Sequence, residues 1–484
     1  GVMAGQASDD IAPTYILAPI VGTSTGMLAA ASAVVALRHR ERTGEGQSVV
    51  VSLLAGAMAV LAHDFIDSPT FTKDRWWHSN PRGPSPPFGL FEAKDRRWLA
   101  LAVLNDKFWR NFCRLITHDD WAAELTMEGI SRVDPADNRR EWLMPRLVEA
   151  IEERTLDEWL PAIAAADIPV GAVNSYTETL RDPQTVHNRL AVEIDDPVLG
   201  PTRQVGLPVR FARTPGAIRG PSTSVSELGW PERESPQLRG DASDGPPLAG
   251  IRVIDFGSYI AGTYIGLLLA DLGADVLKIE SLAGDSFRGT EIDFLTWNRG
   301  KRSASLDLRH EVCREAVANL VEGADIVIEN LRPGGIAKLG FDYPTMSTKN
   351  QRLVYVSLSA FGQTGPRSAE PGFDLLGQAF TGGPDAQGGD DNPVYHTAAH
   401  ADYGASMLAF FGVMSALYER ERSGVGQHID TSLADGALLF HAGRAMEVGG
   451  RSIGERGARH FRGPSPYRRL YRASDGWLYL DAGE

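Results

Sequence analysis

The chain has 484 residues, long enough for several domains, and its 43% hydrophobic and 23% charged residues are the balance of an ordinary globular protein. A formal net charge of −14 argues against nucleic acid or an anionic membrane as the main partner, while leaving room for a local basic pocket that takes an anionic ligand. Two cysteines, Cys113 and Cys313, make neither a disulfide framework nor a metal pattern and fit a reducing, cytoplasmic setting.

In chain order, residues 20–37 form an apolar stretch near the length of a membrane span. No basic region precedes it and its residues are small, so it is expected to be a buried helix, running over 24–42. A strand at 48–52 and a helix at 53–66 follow, then a Pro- and Gly-rich loop over 68–88. Residues 97–104 and 168–173 read as strands, and 105–117, 139–152 and 156–166 as helices. Residues 195–245 are rich in Pro and Gly and read as a linker. The apolar run 250–256, helix 261–272 and strand 275–280 make a strand–helix–strand unit, where an α/β sheet begins. Strands at 303–306, 324–329 and 353–359 and a helix at 310–322 continue it.

A long repeat runs through the chain. RERTGEGQ at 40–47 matches RERSGVGQ at 420–427, and the same offset pairs residues 27–29 with 407–409, 52–53 with 432–433 and GPSP at 83–86 with 463–466. A period this long is a duplicated domain, not a solenoid, whose units run about 20–50 residues. Residues 1–245 then read as the later part of one copy, with a small domain over about 88–200 and a linker over about 201–245. Residues 246–484 read as the earlier part of a second, with a large domain over 246–445 and the start of a small domain over 446–484. The first copy is expected to lack its beginning and the second its end.

Four constellations carry chemistry. The turn Gly257–Gly262 joins a strand to a helix and could present backbone N–H groups to a phosphate; tight packing explains it equally well. The cationic run 298–302, with Arg309, Arg332 and Lys338, could cradle a polyphosphate or be a solvated loop. His396, His400 and Asp402 have metal-site spacing, but Asn392-Pro393 precedes them and the matching residues of the first copy are Ile16, Ile20 and Gly22, so no metal is expected. A histidine tuning Asp402 is the preferred reading. Asp402 itself stands where an apolar helix begins, as a cap or as a functional carboxylate. Gly404 and Gly372 beside it look like places of close backbone approach.

At these residues the chain resembles the class III CoA-transferases of the formyl-CoA:oxalate and carnitine type. PLAGIRVIDFGSYIAG, LGADVLKIE, NRGKRSASLDLR, ADIVIENLRPGGIAKLGFDY, VSLSAFGQTGP, GFDLLGQAFTGG and the Asp402 block come in that family's order. AADIPVGAVNSYTETLRDPQ and GLPVRFARTP in the first copy resemble its later part. The resemblance implies an α/β fold with a Rossmann-like large domain and a small α+β domain, interlocked as a pair. It implies a pseudo-dimer between copies or a homodimer. It places a nucleophile on Asp402 and CoA contacts on Ile260, Ala261, Leu306, Asp307, Leu308, Arg309, Asn330, Leu331, Arg332, Lys338, Phe373 and Asp374. The basic residue often found after the KIE strand is Ser281 here, which weakens one contact.

The implied activity moves CoA from an acyl-CoA thioester to a small carboxylic acid through an aspartyl anhydride and an aspartyl-CoA thioester. CoA is a substrate there, with no permanent cofactor. Backbone N–H groups near Gly404 are expected at the oxyanion. The same fold serves 2-methylacyl-CoA racemases, but their Gly-His-Asp triplet is Gly372-Phe373-Asp374 here, and phenylalanine cannot move a proton. A non-catalytic CoA-binding subunit is the other alternative. The first copy has Gly22 in place of the nucleophile and is expected to be silent. Its small domain is expected to cover Asp402, with Trp77, Phe88 and the 83–87 loop as the lid.

Overall fold

The computed structural model describes residues 2–6, 12–66, 80–127, 130, 139–222, 245–289 and 291–482. After a short helix at Val2–Gly5 come α1 (Ile20–Thr43) and α2 (Leu53–Val60). α1 stops at Gly44, whose φ of 83° lets its N–H reach back to the Arg40 carbonyl. Next come strands β1 (Phe88–Glu92), β2 (Trp98–Ala102), helices α3 (Asp106–Leu115), α4 (Arg139–Ile151), α5 (Leu156–Ala165) and strand β3 (Val170–Ala172). The strands form an antiparallel sheet in the order β1–β2–β3. Because side chains alternate along a strand, β2 serves two cores. Leu99 and Leu101 pack with Trp109, Phe112, Leu143, Leu147 and Trp159 from the helices. Ala100 and Ala102 face the other way, into a cluster with Phe88, Leu375, Leu376 and Tyr395. The small sheet is thereby pinned to the segment that carries the candidate site.

The stretch expected to be a linker is partly built into the fold. Strands β4 (Ala191–Asp196) and β5 (Gly200–Val205) make a hairpin, and β6 (Arg210–Phe211) joins the main sheet antiparallel to its last strand. Arg210 anchors it with hydrogen bonds to Asp430 and Asp435. Pro and Gly density marks where a chain turns, not whether it finds a sheet edge to pair with.

The main sheet adds β7 (Arg252–Asp255), β8 (Asp275–Glu280), β9 (Arg302–Ser305), β10 (Ile326–Glu329), β11 (Val354–Ser359) and β12 (His428–Ser432). Among the described residues its order is β6–β12–β11–β10–β7–β8–β9, parallel except for β6. Chain order runs outward from β7 to β9 and then outward on the other side from β10 to β12. The topology therefore switches between β7 and β10, where open α/β sheets form a crevice beyond their carboxyl ends. Every residue of β10 and β11 is buried, as continuous apolar runs require. Helices α6 (Ala261–Asp271), α7 (Glu291–Asn298) and α8 (Glu311–Glu322) connect the strands. Helices α9 (Asp374–Phe380), α10 (His400–Ser423) and α11 (Leu433–His441) complete this part.

Two expectations fail for one reason. Residues 48–52 form no strand, and Val50 is 89% exposed, whereas the same register 380 residues on is β12, paired with β11. A strand exists only beside a partner. The expected buried helix α1 is long and apolar enough, by length and composition, to cross a membrane, yet it buries only Ile20, Ser24, Ala31, Val35 and Arg38. Its covered face lies against α10. Arg38 pairs with Glu421 at 2.7 Å and Tyr418 donates to Glu41 at 3.0 Å.

Candidate active site

Asp402 lies in the first turn of α10, not at its cap. The N-cap is Ala399, which offers no side-chain bond, and the capping duty falls on Asp374 from the start of α9. Asp374 Oδ1 accepts the N–H groups of Ala401 at 2.8 Å and Asp402 at 3.3 Å. Its Oδ2 accepts from Gln378 at 2.6 Å and from the Tyr395 hydroxyl at 3.5 Å. A carboxylate at a helix N-terminus is favoured by the dipole and by the unpaired N–H groups there. With Asp374 in that place, the half-buried Asp402 carboxylate has no hydrogen-bond partner among the described residues.

Burial, together with the nearby Asp374 carboxylate, pushes Asp402 well above the usual carboxylate range. Burial also raises Asp374, while its hydrogen bonds pull the other way. The expected histidine neighbour does not tune Asp402; the neighbour is a second acid. Gly404 is also not what its glycine suggested. A Cβ there would sit 2.6 Å from the Gly436 carbonyl oxygen, so the residue allows α10 and α11 to touch and presents no free loop N–H. Likewise a Cβ on Gly372 would meet the Cβ of Ala360 at 2.5 Å.

Ile260, Ala261, Asn330 and Leu331 stand at the switch point, whereas Leu306–Arg309 follow β9 at the edge of the sheet, two strands away. Ile260 caps α6 and Ala261 begins it, directly after β7. Asn330, just past β10, clasps that turn: its Oδ1 accepts from the Ser258 N–H and its Nδ2 donates to the Ser258 carbonyl, both at 2.9 Å. The clasp holds Tyr259 at a φ of 55°, a left-handed conformation that costs a non-glycine residue about 1 kcal/mol or more. Leu331 follows Asn330, and its N–H is held by Glu329. Leu306 continues β9 with its N–H on the Glu280 carbonyl. Leu308 packs under the sheet beside Leu306. Phe373 stands between Tyr259, at 5.3 Å, and Phe108 of α3, at 6.5 Å. Tyr259 also meets Phe287, which meets Trp297, so an aromatic row crosses the crevice.

The cations are less free than their sequence suggested. Arg309 folds onto Asp307 at 2.7–2.8 Å, which holds Asp307 well below the usual carboxylate range. Arg332 and Lys107 share Asp167, just past α5, and the two cations lower its pKa. Lys338 is exposed, with no acid partner among the described residues. The run 298–302 is no open cradle, because Arg299 pairs with Asp271, Lys301 with Asp255 and Arg302 with Asp275. Lys301 is buried, as is Lys278, which bonds Asp285 at 2.9 Å and the Gly257 carbonyl. These two lysines fix the first turn from below; Lys301 was expected in an open cationic cradle, while Lys278 was not singled out, and a basic residue inside an apolar strand was its available signal.

The lid residues divide. Phe88 reaches Tyr395, ring to ring at 6.5 Å, and Pro81 holds the Tyr395 N–H, so the 80–88 segment touches the residue that touches Asp374. Trp77 lies outside the described residues.

Three histidines converge behind the start of α10. His396 and His400 are joined by His441, the last residue of α11, with one ring nitrogen of each within 4.8 Å of the others. Asp402 is not part of this cluster. All three are buried, and burial keeps them neutral, with His400 lowered to about 4. His396 Nδ1, His400 Nε2 and His441 Nε2 have no hydrogen-bond partner, at a cost of about 1–3 kcal/mol each.

The family model described as CoA-transferase family III matches residues 1–223 and 248–484. The chain is 36% identical over 261 residues to a succinate–glutarate CoA-transferase of Agrobacterium fabrum, a match covering 49% of this chain and 64% of that protein. It is 38% identical over 226 residues to an acetyl-CoA:oxalate CoA-transferase of Acetobacter aceti, covering 44% and 58%. The chain thus spans less than two thirds of these relatives. A crystal structure of a CAIB/BAIF family protein from Brucella suis matches at 36% identity with a TM-score of 0.44, over 48% of this chain and 65% of that one.

Proposed function

Because the chain belongs to CoA-transferase family III, we propose that it moves CoA between carboxylic acids with Asp402 as nucleophile. The observation that carries this is a carboxylate in the first turn of a helix that leaves the capping to another acid. Asp402 keeps its oxygens for a reaction while Asp374 holds the helix in place.

In the proposed cycle an Asp402 oxygen attacks the thioester carbonyl and the C–S bond breaks, giving a mixed anhydride and CoA thiolate. The thiolate attacks the aspartyl carbonyl, the donor acid leaves as its carboxylate, and Asp402 carries CoA as a thioester. The acceptor carboxylate attacks that thioester and again expels thiolate. The thiolate then takes the acceptor acyl group and frees Asp402. Poor solvation raises the energy of the Asp402 carboxylate and makes it a stronger nucleophile than one in water.

CoA would lie in the crevice between the turn at 257–261 and Asn330–Arg332, with Lys338 free to meet a phosphate. Leu306–Arg309 would flank it, and Phe373 and Tyr259 would line the way to Asp402. The reading also takes the chain as two partial copies arranged as an interlocked pair. Arg38 meets Glu421 while Glu41 meets Tyr418, and 418 and 421 are 38 and 41 shifted by the 380-residue repeat. Reciprocal contacts of this kind are the mark of a two-fold interface. In that arrangement the small domain of the first copy closes over the Asp402 of the second.

The test is covalent trapping. The protein is incubated with short dicarboxylic and branched acyl-CoA esters, quenched with hydroxylamine, and mapped by mass spectrometry. A hydroxamate on Asp402 that is absent in Asp402→Asn is the expected result. CoA binding without any adduct on Asp402, across the panel, overturns the nucleophile.

A further inference from the structure

The three buried histidines take no part in the proposed transfer. Their outer nitrogens are already assigned. Gln387 has a fixed orientation, because its Oε1 accepts the Leu17 N–H at 2.9 Å and its Nε2 donates to the Tyr15 carbonyl at 3.0 Å. His396 Nε2, 3.3 Å from that Oε1, must therefore be the N–H side of its ring, which leaves Nδ1 as a lone pair. His400 Nδ1 faces the Ala398 carbonyl at 3.3 Å, so its Nε2 is likewise a lone pair. The Tyr176 hydroxyl lies 3.0 Å from His441 Nδ1 and can take its proton, leaving Nε2 as the third. The nitrogens left as lone pairs are the same three that lack a hydrogen-bond partner, and one ring nitrogen of each histidine lies within 4.8 Å of the others. An outer N–H held by an oxygen while the inner nitrogen points inward is how metal-ligating histidines are oriented.

The repeat adds an independent observation. At the positions 380 residues earlier stand Ile16, Ile20 and Leu61, and all three belong to one buried apolar cluster. The fold can therefore close this space with aliphatic side chains and does not need histidine to pack it. The space is also kept open: a Cβ on Gly383 would come within 2.6 Å of His441 Nε2.

We propose that His396, His400 and His441 form a binding site for a divalent transition-metal ion, zinc being the ion that best suits three imidazoles and a fourth position open to water. This replaces the expectation of no metal read from the His-x3-His-x-Asp spacing, which had the wrong third residue. Zinc–nitrogen bonds of about 2.0–2.1 Å bring the three nitrogens to about 3.3 Å apart, a small inward movement from the geometry present. The ion would tie the loop before α10, the first turn of α10 and the end of α11 together, directly behind the turn that carries Asp402. Its role would be to hold that turn, and the inference stands whether or not Asp402 is the nucleophile.

The experiment is metal binding to the 484-residue chain. After EDTA treatment and desalting, the protein is titrated with Co²⁺ under an absorption spectrum and with Zn²⁺ against a competing chelator. The expected results are one ion per chain, visible d–d bands of a four-coordinate cobalt–nitrogen site displaced by zinc, and zinc affinity at least about 100-fold weaker in His441→Leu. The wild-type cobalt titration needs no variant to fold. Absence of a stoichiometric site at micromolar metal overturns the proposal, and so does binding that persists unchanged in His441→Leu. Either result would leave a water-filled or dry histidine cluster in its place.

Discussion

Helices α1 and α10 each have 24 residues, end in the same Arg-Glu-Arg turn and stop at a left-handed glycine, yet they live in different surroundings. α10 is wrapped by the main sheet, α6 and α11, and sixteen of its residues are buried; α1 has five. Four positions show how the side chains differ. Where α10 carries Asp402, α1 carries Gly22, and where the second part gathers His396, His400 and His441 the first packs Ile16, Ile20 and Leu61. Local sequence builds the same helix twice; the side chains at these positions, aliphatic or glycine in one case and polar in the other, decide which of the two carries a polar site.

The sharpest way to break this comparison is to exchange the carboxylate. Asp402→Asn is expected to lower CoA-transfer turnover by about 10⁴-fold or more, as removal of a covalent nucleophile does. Gly22→Asp has room for its side chain, with nothing within 4 Å of a Cβ, but among the described residues no side chain caps α1. It should restore no activity to Asp402→Asn and take no hydroxamate. Recovery of turnover would show that α1 has an equivalent setting after all.

The second test concerns charge under the sheet that wraps α10. Glu329 is buried at the end of β10 and desolvation raises it to about 7, against an ordinary 4.5. The unfolded chain gives up this proton more readily than the folded one. The stabilising contribution is therefore complete below about 4.5 and is lost as pH rises through 7. Glu329→Gln should be more stable than the parent by about 3 kcal/mol at pH 8 and about equal near pH 4.5, by urea unfolding. A pH-independent difference would remove burial as the cause.

Two glycine substitutions then measure the two shells directly. Gly404→Ala drives a methyl against Gly436 and should cost about 1–3 kcal/mol. Gly26→Ala, with open space around it in α1, should stabilise by about 0.5–1 kcal/mol through helix propensity alone. Equal effects, read as shifts in melting temperature, would mean that the two helices are packed alike.

Much of the molecule was legible in its sequence because the signals were local. The apolar runs of β7, β10 and β11 and the strand–helix alternation announced their elements within a residue or two. Asp402 stood out at the head of an apolar helix. What failed was whatever depended on distant partners. Asp374 became the cap of a helix 26 residues away, and the Arg and Lys residues of 298–302 were consumed by acids from other strands and helices. His441 reached His396 only because α11 folds back along α10.

By itself, then, the sequence determined most of the order of strands and helices, the family and the repeat, and it singled out Asp402 as the carboxylate now proposed as nucleophile, since periodicity and motif spacing are written along the chain. The tertiary structure alone decided which cations remain free, which carboxylate caps and which is left open, and that three histidines meet. Those outcomes depend on desolvation and on partners far apart in sequence, and each is settled only when the surrounding groups are in place.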